Sequence, residues 1–405
     1  MNAEPKLDAD LAERRLLADH ADAFRARFGA GHEPRRFFSP GRVNLMGAHL
    51  DYNGGPVMPT AIDRGTFIAV RPRADRVVRM ASTLESEAFE SSLDDLPRSA
   101  RGSWWDYPVG VVLQLANLAD ERGAVRALSG FDVLFGGNLK IGAGLSSSAS
   151  ICVGSAHAFN EIWELELPTL ELVGAALGAE RGHVGVQCGI MDPYAVGLSR
   201  PGTLLWLDCK DASWEHLPLS DDLIVAVADT GVRRKLAQSE FNQRVRECAE
   251  AFARLRRAHP AAECLRDVPL EVLDETEREL TPKQARRARH VLDEVARTFQ
   301  AKEALSAGRV DVFGAQMTLA HQSLRELFEV SCPELDRLVE DAVAVPGVMG
   351  SRLTGAGFGG CAVVLARREA EAELGAALER GFRAAFGRAP LVERFATDRG
   401  PREVE

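Results

Sequence analysis

The sequence predicts an α+β fold made of two domains. Short apolar runs typical of strands are concentrated in the first half, whereas residues 236–327 show a mostly helical pattern with charged residues on the exposed sides. Helices and strands do not alternate strictly, as in an α+β protein. The composition changes after about residue 210, so we place the domains at residues 1–213 and 214–405.

Local patterns predict each element of the first domain. Residues 9–29 form an amphipathic pattern, and Gly29 ends the predicted helix. The serines at 146–150 open a helix that is rich in Ala, Ile, Val and Phe, so we expect it to be buried. The other predictions are strands at 66–71, 76–80 and 131–135, a strand from residue 37 that leads into a Gly-rich loop, and helices at 109–119 and 168–182.

The second half contains fewer strands. Apolar runs predict strands at 204–207 and 223–227, which flank the proposed domain boundary, and a further strand at 362–366. A helix is predicted over residues 370–386. The polar tail from residue 397 onwards lacks an apolar pattern, so we expect it to fray.

Composition excludes several classes of protein. Acidic residues outnumber basic ones by 59 to 49, which gives a formal net charge of −10 and argues against a nucleic-acid partner. No run of about 18 apolar residues predicts a membrane span, and the first residues do not resemble a signal peptide. Seven scattered cysteines without a C-x-x-C pair argue against a disulfide framework or a cysteine-based zinc site, which fits a cytoplasmic location.

The segment Gly142–Ser150 has the pattern of an anion site. A strand is followed by Gly142 and Gly144 and then by serines at the start of a helix, where unpaired amides and the helix dipole favour a phosphate. The segment is not a Walker loop, because it lacks the Gly-Lys-Ser/Thr sequence. A capped helix after a flexible turn is the plainer interpretation.

The segment Gly355–Gly360 matches G-x-G-x-x-G by letter. A dinucleotide fingerprint requires a helix directly after the glycines, whereas the residues that follow here predict a strand. We therefore reject the dinucleotide interpretation. A strand–loop–strand unit of this composition is expected to pack close to another backbone or to a phosphate.

Two further segments place charged residues in unusual settings. Arg42, His49 and Asp51 lie among glycines between residues 41 and 55, which is typical of ligand contacts, although an ordinary polar turn has the same composition. Glu180 and Asp192 lie in a mostly apolar stretch. They suit a metal ligand or a catalytic base, but for this segment alone a helix-end Glu and a capping Asp before Pro193 are the better explanation.

Other polar residues have plain interpretations. His157, His183 and His290 show no partner pattern, so we regard them as core or surface residues without a chemical role. The charge-rich region 244–300, with Glu247 and Arg254 as an example, is interpreted as a solvated helical face.

The four segments with charged residues, glycines or serines described above, at 41–55, 142–150, 180–192 and 355–360, occur together in the galactokinase branch of the GHMP small-molecule kinases. They follow the same order along the chain there, and the chain resembles this branch from about residue 37 to residue 365. Each motif alone is weak, but five in register are specific. The matching segments are SPGRVNL at 39–45, GLSSSAS at 144–150, CGIMD at 188–192, HQSLR at 321–325 followed by EVSCPELD at 329–336, and GSRLTGAGFGGC at 350–361.

The resemblance implies a fold and a reaction. It implies two lobes, an N-terminal one like the second domain of ribosomal protein S5 and a C-terminal ferredoxin-like one with extra helices. ATP, as co-substrate, and a sugar would bind in the cleft between them. The enzyme would transfer the γ-phosphoryl group to the anomeric hydroxyl of a galactose-configured sugar, with Mg²⁺ as cofactor. We expect a monomer, with a dimer as the alternative.

The resemblance also implies roles for individual residues. Asp192 matches the proposed catalytic base, and Arg42 matches the cation beside the anomeric oxygen, where it would lower the pKa of that hydroxyl. Ser148 and Glu180 match the magnesium ligands. Contacts to the sugar would come from Ala48, His49, Asp51, Gly189 and Phe241. Contacts to ATP would come from Gly142, Gly144, Leu145, Ser146, Ser147, Ser148, Ala149 and Trp105, with the loop Gly355–Gly360 bracing the phosphate loop.

Two positions depart from the family pattern. Ala48 stands where galactose-specific members usually have Glu, and Phe241 stands where they usually have Tyr. Losing a neutral hydrogen bond costs about 1 kcal/mol, and losing one to a carboxylate costs about 1.5–3 kcal/mol. Galactose binding should therefore weaken unless other groups compensate.

The change at residue 48 admits several sugars. A Glu there would repel a C6 carboxylate by roughly 4 kcal/mol at 4 Å and an effective dielectric constant of about 20, so Ala48 opens the site to galacturonate. The candidate cations for such a carboxylate are Arg233, Arg234 and Lys235. Fucose, arabinose or galactose itself, with water in the gap, remain alternatives. A non-catalytic sensor of sugar and ATP, and a mevalonate- or homoserine-type kinase, are the other functional alternatives.

Overall fold

The computed structural model describes residues 4–123, 128–140, 142–233 and 237–404, and these residues form eleven α-helices and thirteen strands. The helices are α1 (Glu4–Phe28), α2 (Asp106–Glu121), α3 (Ser147–Ile162), α4 (Thr169–Gly178), α5 (Met191–Leu198), α6 (Ala237–Ala258), α7 (Leu270–Thr276), α8 (Pro282–Ser306), α9 (Val310–Glu326), α10 (Pro333–Val343) and α11 (Glu371–Phe386). The strands are β1 (Arg35–Asn44), β2 (Pro56–Val57), β3 (Pro59–Pro72), β4 (Val77–Ser82), β5 (Phe89–Ser92), β6 (Phe131–Gly137), β7 (Thr203–Asp208), β8 (Trp214–Pro218), β9 (Leu223–Asp229), β10 (Val348–Thr354), β11 (Cys361–Arg367), β12 (Leu391–Phe395) and β13 (Arg402–Glu403).

The first sheet has six strands in the order β13-β1-β3-β6-β4-β5. Its pairs are antiparallel except for β4 with β6. Because side chains alternate along β3, Ile68 and Val70 face the core formed with α2, α3 and α4, while Ala69 faces Phe24 of α1 on the opposite side. Helices therefore cover both faces of this sheet.

The second sheet is antiparallel, with the order β10-β11-β9-β12. Every residue of β9 is buried, because Ile224 and Ala226 pack toward α10 and α11 while Val225 and Val227 pack toward α8 and α9. Burial on both faces explains why β9 is a continuous apolar run in the sequence. A third sheet, with the order β2-β7-β8, lies beside these two.

One apolar cluster joins the sheets. It contains Val43 and Leu45 from the end of β1, Trp206 from β7, and Val225 and Val227 from β9. The end of β1 is thus held against the second sheet, and the loop that follows it lies at the junction between the two halves of the molecule.

The mixed strand and helix content confirms the α+β prediction, and most elements lie where the local patterns predict them. The tail prediction was wrong, because Arg402 and Glu403 form β13, which pairs with Phe38 and Phe37 of β1. The helix predicted over 168–182 is divided into α4 and a π-helical turn at Ala179–Val184.

The division at residues 213 and 214 stays a prediction. Two elements cross it: the hairpin of β7 and β8, and β13, which adds a strand from the end of the chain to the first sheet. Among the described residues, no helix is both long and apolar enough to span a bilayer.

The charge-rich region 244–300 differs from the solvated face that we expected. Glu247 is only 8 % exposed and accepts a hydrogen bond from Nε of the fully buried Arg287 at 2.7 Å. Arg254 instead donates to the carbonyl oxygen of Glu279. Periodicity alone could not reveal this, because Glu247 and Arg287 come from different helices.

Candidate active site

Arg42 lies near the end of β1, two residues after an irregularity in the β1–β3 register at Pro40 and Gly41. Its amide donates to the carbonyl oxygen of Leu145 at 3.0 Å, and its guanidinium donates to that of Gly144 at 2.7 Å. The side chain is buried. Two hydrogen bonds from Arg42, one from its backbone and one from its side chain, therefore fix β1 to the loop before α3.

Asp192 lies in the first turn of α5 and pairs with Arg42. Nε of Arg42 donates to Oδ1 at 2.7 Å, and the terminal nitrogen NH2 donates to Oδ2 at 2.8 Å, which is a bidentate arrangement. The Ser146 hydroxyl also donates to Oδ2. The structure thus brings together Arg42, Asp192 and the serine loop, which are separated by about 150 and 46 residues along the chain.

The serine loop presents the start of α3 to an open cavity. Ser146 has a positive φ of 60°, and the first amide bonded within the helix is that of Ser150, which donates to the Ser146 carbonyl oxygen. The amides of residues 147–149 therefore precede the regular helix ladder, as an anion site requires. The cavity has a volume of about 370 Å³ and is lined by Arg42, Gly142, Gly144, Leu145, Ser146, Ser147, Ser148, Asp192, Val232, Arg233, Phe241 and residues 354–360.

The glycine loop between β10 and β11 packs directly on the serine loop. A Cβ added at Gly355 would lie 2.7 Å from Cα of Gly144, and one added at Gly144 would lie 3.0 Å from the Thr354 carbonyl oxygen. Both glycines also have a positive φ. The expectation that this strand–loop–strand unit packs against another backbone is confirmed.

Glu180 projects from the π-helical turn at Ala179–Val184 and is 2 % exposed. Burial raises the pKa of Glu180 from its ordinary 4.5 to about 7, although a hydrogen bond with Ser148 opposes the shift. Its Oε2 atom is buried and has no hydrogen-bond partner among the described residues. The turn therefore holds a buried carboxylate that forms no close ion pair with a described residue, at a type of helix irregularity that is frequent at functional sites.

Asp51 and Gly189 lie against each other. A Cβ at Gly189 would overlap the Asp51 carboxylate, so only glycine fits beside it in this arrangement. Burial, and then the charge of Asp192, raise the pKa of Asp51 to about 6. The charge of Asp192 thus raises the pKa of both Asp51 and Glu180, whereas the guanidinium of Arg42 lowers both.

His49 is held by its neighbours in a strained backbone conformation with a φ of 59°. Burial lowers the pKa of His49 to about 3, so the ring is neutral. Its Nε2 atom lies 3.2 Å from the Ala356 carbonyl oxygen and must donate to it; Nδ1 therefore accepts from the Tyr52 hydroxyl at 2.9 Å. Both ring nitrogens are engaged within the protein.

The two residues that depart from the family pattern, Ala48 and Phe241, lie in different surroundings. Phe241 lines the cavity, and its ring centroid is 5.7 Å from that of His49 and 5.6 Å from that of Tyr52. Ala48 is 3 % exposed and belongs to the apolar core. The structure therefore brings Phe241 to the cavity but places the methyl group of Ala48 behind the loop.

Of the three cations proposed for a C6 carboxylate, Arg233 lies among the described residues. Arg233 lines the cavity beside Gly142 and pairs with Asp229 at 2.7 Å, so it lies at the end of the cavity near Gly142. Arg234 and Lys235 lie outside the described residues.

A second cavity of about 220 Å³ shares Ser147 and Ser148 with the first. Its aromatic lining comes from Trp104, Tyr107 and Phe135. Trp105, which the sequence comparison suggested for this place, is 7 % exposed and packs in the core of the first sheet. Trp104, the preceding residue, lines this cavity and also packs against the same core.

Sequence reasoning missed some residues at the cavity. Asp229 ends β9 and orients Arg233, and Thr354 ends β10, where its hydroxyl donates to the carbonyl oxygen of Asn44 at 3.3 Å. Asp229 is the polar last residue of an apolar strand, which is a pattern that could have indicated it, whereas β10 also contains Ser351 and Arg352 and gives no such signal. Among the described residues, no group of three or more His, Cys, Asp or Glu forms a metal cluster.

Family models match three parts of the chain. They are the galactokinase galactose-binding signature at residues 22–72, the N-terminal domain of GHMP kinases at 106–200 and the C-terminal domain of GHMP kinases at 301–384. A galactokinase from Roseiflexus sp. is 43 % identical over 355 residues, which cover 87 % of this chain and 89 % of that protein. The chain belongs to the galactokinase family.

Other relatives are similar to this galactokinase-family chain over most of its length. The galactokinase of Enterococcus faecalis is 41 % identical over 82 % of this chain and 86 % of its own length. The crystal structure of Lactococcus lactis galactokinase complexed with galactose superposes with a TM-score of 0.89 and 31 % identity, covering 96 % of this chain and all of that one. Methanococcus jannaschii mevalonate kinase shares the fold, with a TM-score of 0.64 at 18 % identity over 91 % of this chain and 99 % of that one.

Membership confirms the two-lobed GHMP kinase fold predicted from the motifs. This galactokinase-family chain is accordingly a sugar 1-kinase, a phosphotransferase with an alcohol group as acceptor.

Proposed function

We propose that this sugar 1-kinase transfers the γ-phosphoryl group of ATP to the anomeric hydroxyl of a galactose-configured sugar. The observation that carries the proposal is the bidentate Arg42–Asp192 pair, which lies between the serine loop and the loop that contains His49 and Asp51. Phosphoryl transfer needs the acceptor hydroxyl and the phosphate to meet at such a junction, with charges that position both.

Two adjacent cavities suit ATP. The smaller cavity has an aromatic lining from Trp104 and Tyr107, which favours the adenine ring, and it shares Ser147 and Ser148 with the larger one. The phosphates would then accept hydrogen bonds from the amides at the start of α3. Arg233 supplies a cation at the same end.

The residues present fit Mg²⁺ held by the Ser148 hydroxyl and the Glu180 carboxylate. Oε2 of Glu180 is buried without a partner among the described residues, and both groups offer the hard oxygen ligands that Mg²⁺ prefers. Two protein ligands leave positions for water and phosphate oxygens. When bound, the ion would neutralise charge on the transferring phosphate.

Asp192 is positioned to accept the proton of the sugar hydroxyl. Its Oδ2 atom accepts from Arg42 and Ser146, whereas Oδ1 accepts from Arg42 Nε. Oδ1 thus keeps a lone pair for a sugar hydroxyl. Arg42 would stabilise the negative charge that develops on the anomeric oxygen, while Asp51, beside Gly189, would accept from another sugar hydroxyl.

The candidate sugars differ in the group that they carry at C6. The names of the relatives favour galactose, whereas Ala48, in place of the usual Glu, favours a sugar altered at C6, such as galacturonate, fucose or arabinose. Arg233 lies at the phosphate end and is paired with Asp229, so among the described candidates it does not supply a cation for a C6 carboxylate. We therefore propose galactose as the first substrate to test.

We expect ADP release with Mg²⁺, ATP and galactose in a coupled assay. Turnover of galacturonate, fucose and arabinose, compared with that of galactose, shows which group at C6 the enzyme accepts. Glucose, the C4 epimer of galactose, shows whether the enzyme requires the galactose configuration. The Asp192→Asn protein, purified in parallel, is the control for contaminating kinases. Absence of turnover with all four galactose-configured sugars would contradict the proposal, and binding of galactose and ATP without turnover would support the sensor instead.

The unfolding temperature without Mg²⁺ is expected to fall as the pH rises from about 5 to about 8. The pKa of Glu180 is raised to about 7 in the folded protein, so between its ordinary value and 7 the folded state keeps a proton that the unfolded chain loses. Asp51 contributes in the same direction at the lower end of this window. Glu180→Gln should flatten the slope.

Magnesium provides the second readout of this experiment. At about pH 8, where the Glu180 carboxylate is mostly ionised, Mg²⁺ with ATP should raise the unfolding temperature of the wild type more than that of Glu180→Gln. Differential scanning calorimetry measures both effects. Equal pH slopes for the two proteins, or equal stabilisation by Mg²⁺ and ATP, would remove Glu180 from the metal site.

We also propose a cytoplasmic enzyme that is monomeric, with a dimer as the alternative. All seven cysteines are free in the structure, which suits a reducing compartment. Light scattering after size-exclusion chromatography measures the mass and decides between the two oligomeric states.

A further inference from the structure

The loop after β1, residues 47–52, carries His49 and Asp51 but has little regular structure of its own. Gly47 has a φ of 83°, which glycine adopts freely, whereas His49 has a φ of 59°, so the backbone is strained at His49. Strain of this kind persists only where surrounding contacts hold the chain. The contacts that hold this loop come from α8, almost 250 residues further along the chain.

Glu294 on α8 provides the central contact. The amides of Gly47 and Ala48 both donate to its Oε1 atom, at 3.1 Å and 3.2 Å. His290, one helical turn earlier, has Nε2 at 3.4 Å from the Ala48 carbonyl oxygen, and its Nδ1 accepts from the Ser323 hydroxyl at 2.8 Å. Two amides and one carbonyl oxygen before His49 are therefore held by one face of α8.

Glu294 is completely buried and is itself held by two arginines. Nε of Arg297 donates to Oε2 at 2.8 Å, and Arg352 of β10 lies 3.6 Å from Oε1. Arg352 is also buried, and it donates to the carbonyl oxygen of Leu45 at 3.3 Å, two residues before Gly47. Burying charged groups is a costly way to gain stability, whereas a fixed carboxylate is an effective anchor for amides.

We infer that Glu294 is a positioning residue for the sugar, because its carboxylate fixes the backbone that presents His49 and Asp51. The inference rests on the proposed function. Glu294 lies behind the loop and takes no part in the phosphate contacts, so it acts on sugar binding and not on ATP binding. It also explains why Ala48, whose side chain faces the core, belongs to the sugar-binding segment: its amide and carbonyl are the anchored groups.

The test compares two variants at this position. Glu294→Gln keeps the size of the side chain. Its amide nitrogen can only donate, so the side chain can no longer accept hydrogen bonds from both Arg297 and the loop amides. Glu294→Asp keeps the charge but is one methylene shorter and cannot reach the amides at the same geometry. Both should raise the KM for galactose about tenfold or more, because a charged hydrogen bond is lost, and leave the KM for ATP within about twofold.

Asp132→Asn is the matched control. Asp132 is as buried as Glu294 and pairs with Arg71, Arg73 and Arg79 on the first sheet, away from this loop. This variant should lower the unfolding temperature while both KM values stay near those of the wild type. A galactose KM within twofold of the wild type in both Glu294 variants, or an equal rise of both KM values, would overturn the inference.

Hydrogen–deuterium exchange supplies a readout that needs no turnover. Peptides covering residues 47–55 should exchange at least tenfold faster in the Glu294 variants, while those covering 142–150 are unchanged. Unchanged exchange at 47–55 would overturn the inference even if the KM rises. If the wild type phosphorylates no sugar, the proposed function fails, and the exchange data still decide whether Glu294 holds the loop.

Discussion

Asp192→Asn should lower kcat by about 10²- to 10⁴-fold, which is the usual contribution of a general base. The amide of Asn cannot accept from Arg42 with both atoms, so the bidentate pair at 2.7 Å and 2.8 Å is lost together with the proton acceptor. The KM for ATP should change little, because the amides at the start of α3 are intact. Steady-state kinetics with both substrates measures the two effects separately.

Asp341→Asn is the control for loss of an arginine pair. Arg337 donates to both oxygens of Asp341 along α10, at 2.8 Å and 2.6 Å, so the geometry of the pair matches that of Arg42 and Asp192. This variant should keep the kcat of the wild type. Activity of Asp192→Asn within tenfold of the wild type would remove Asp192 from the role of base.

Gly355→Ala should lower kcat/KM by about 100-fold. The new methyl group would lie 2.7 Å from Cα of Gly144, so the glycine loop and the serine loop must move apart. A displacement of about 1 Å at a reacting group costs about 10²-fold in rate. The measurement is kcat/KM for ATP at saturating sugar, since the serine loop is the element displaced.

Gly29→Ala separates the steric effect from the backbone effect. Gly29 has the same φ of 78° as Gly355, but a Cβ there would meet no described atom within 4 Å. Both variants therefore lose the glycine conformation, and only Gly355→Ala creates a collision. Equal activity of the two proteins would show that contact between the loops is not needed for catalysis.

The motifs predicted the site well where a local pattern carries the chemistry. Glycines before serines predicted the loop at the start of α3, and the apolar run after Gly360 correctly excluded a dinucleotide fold. The chain folds so that Arg42 pairs with Asp192 and Ser148 bonds to Glu180, whereas the family resemblance implied only a role for each of these residues and no local pattern could establish their contacts.

The errors concern contacts between distant segments. Glu294 and His290 lie on a helix with an ordinary charged pattern, and their role depends on a loop that precedes them by more than 240 residues. A sequence pattern reports periodicity along one element, so it cannot report which element lies opposite.

The pairing of β13 with β1 has a consequence for synthesis of the protein. Arg35 of β1 and Glu403 of β13 form an ion pair although they are 368 residues apart along the chain. A ribosome adding about 5–20 residues per second needs roughly 20–70 s between the two. During that interval the outer edge of the strand that bears Arg42 stays open, so the nascent chain completes its first sheet after its second.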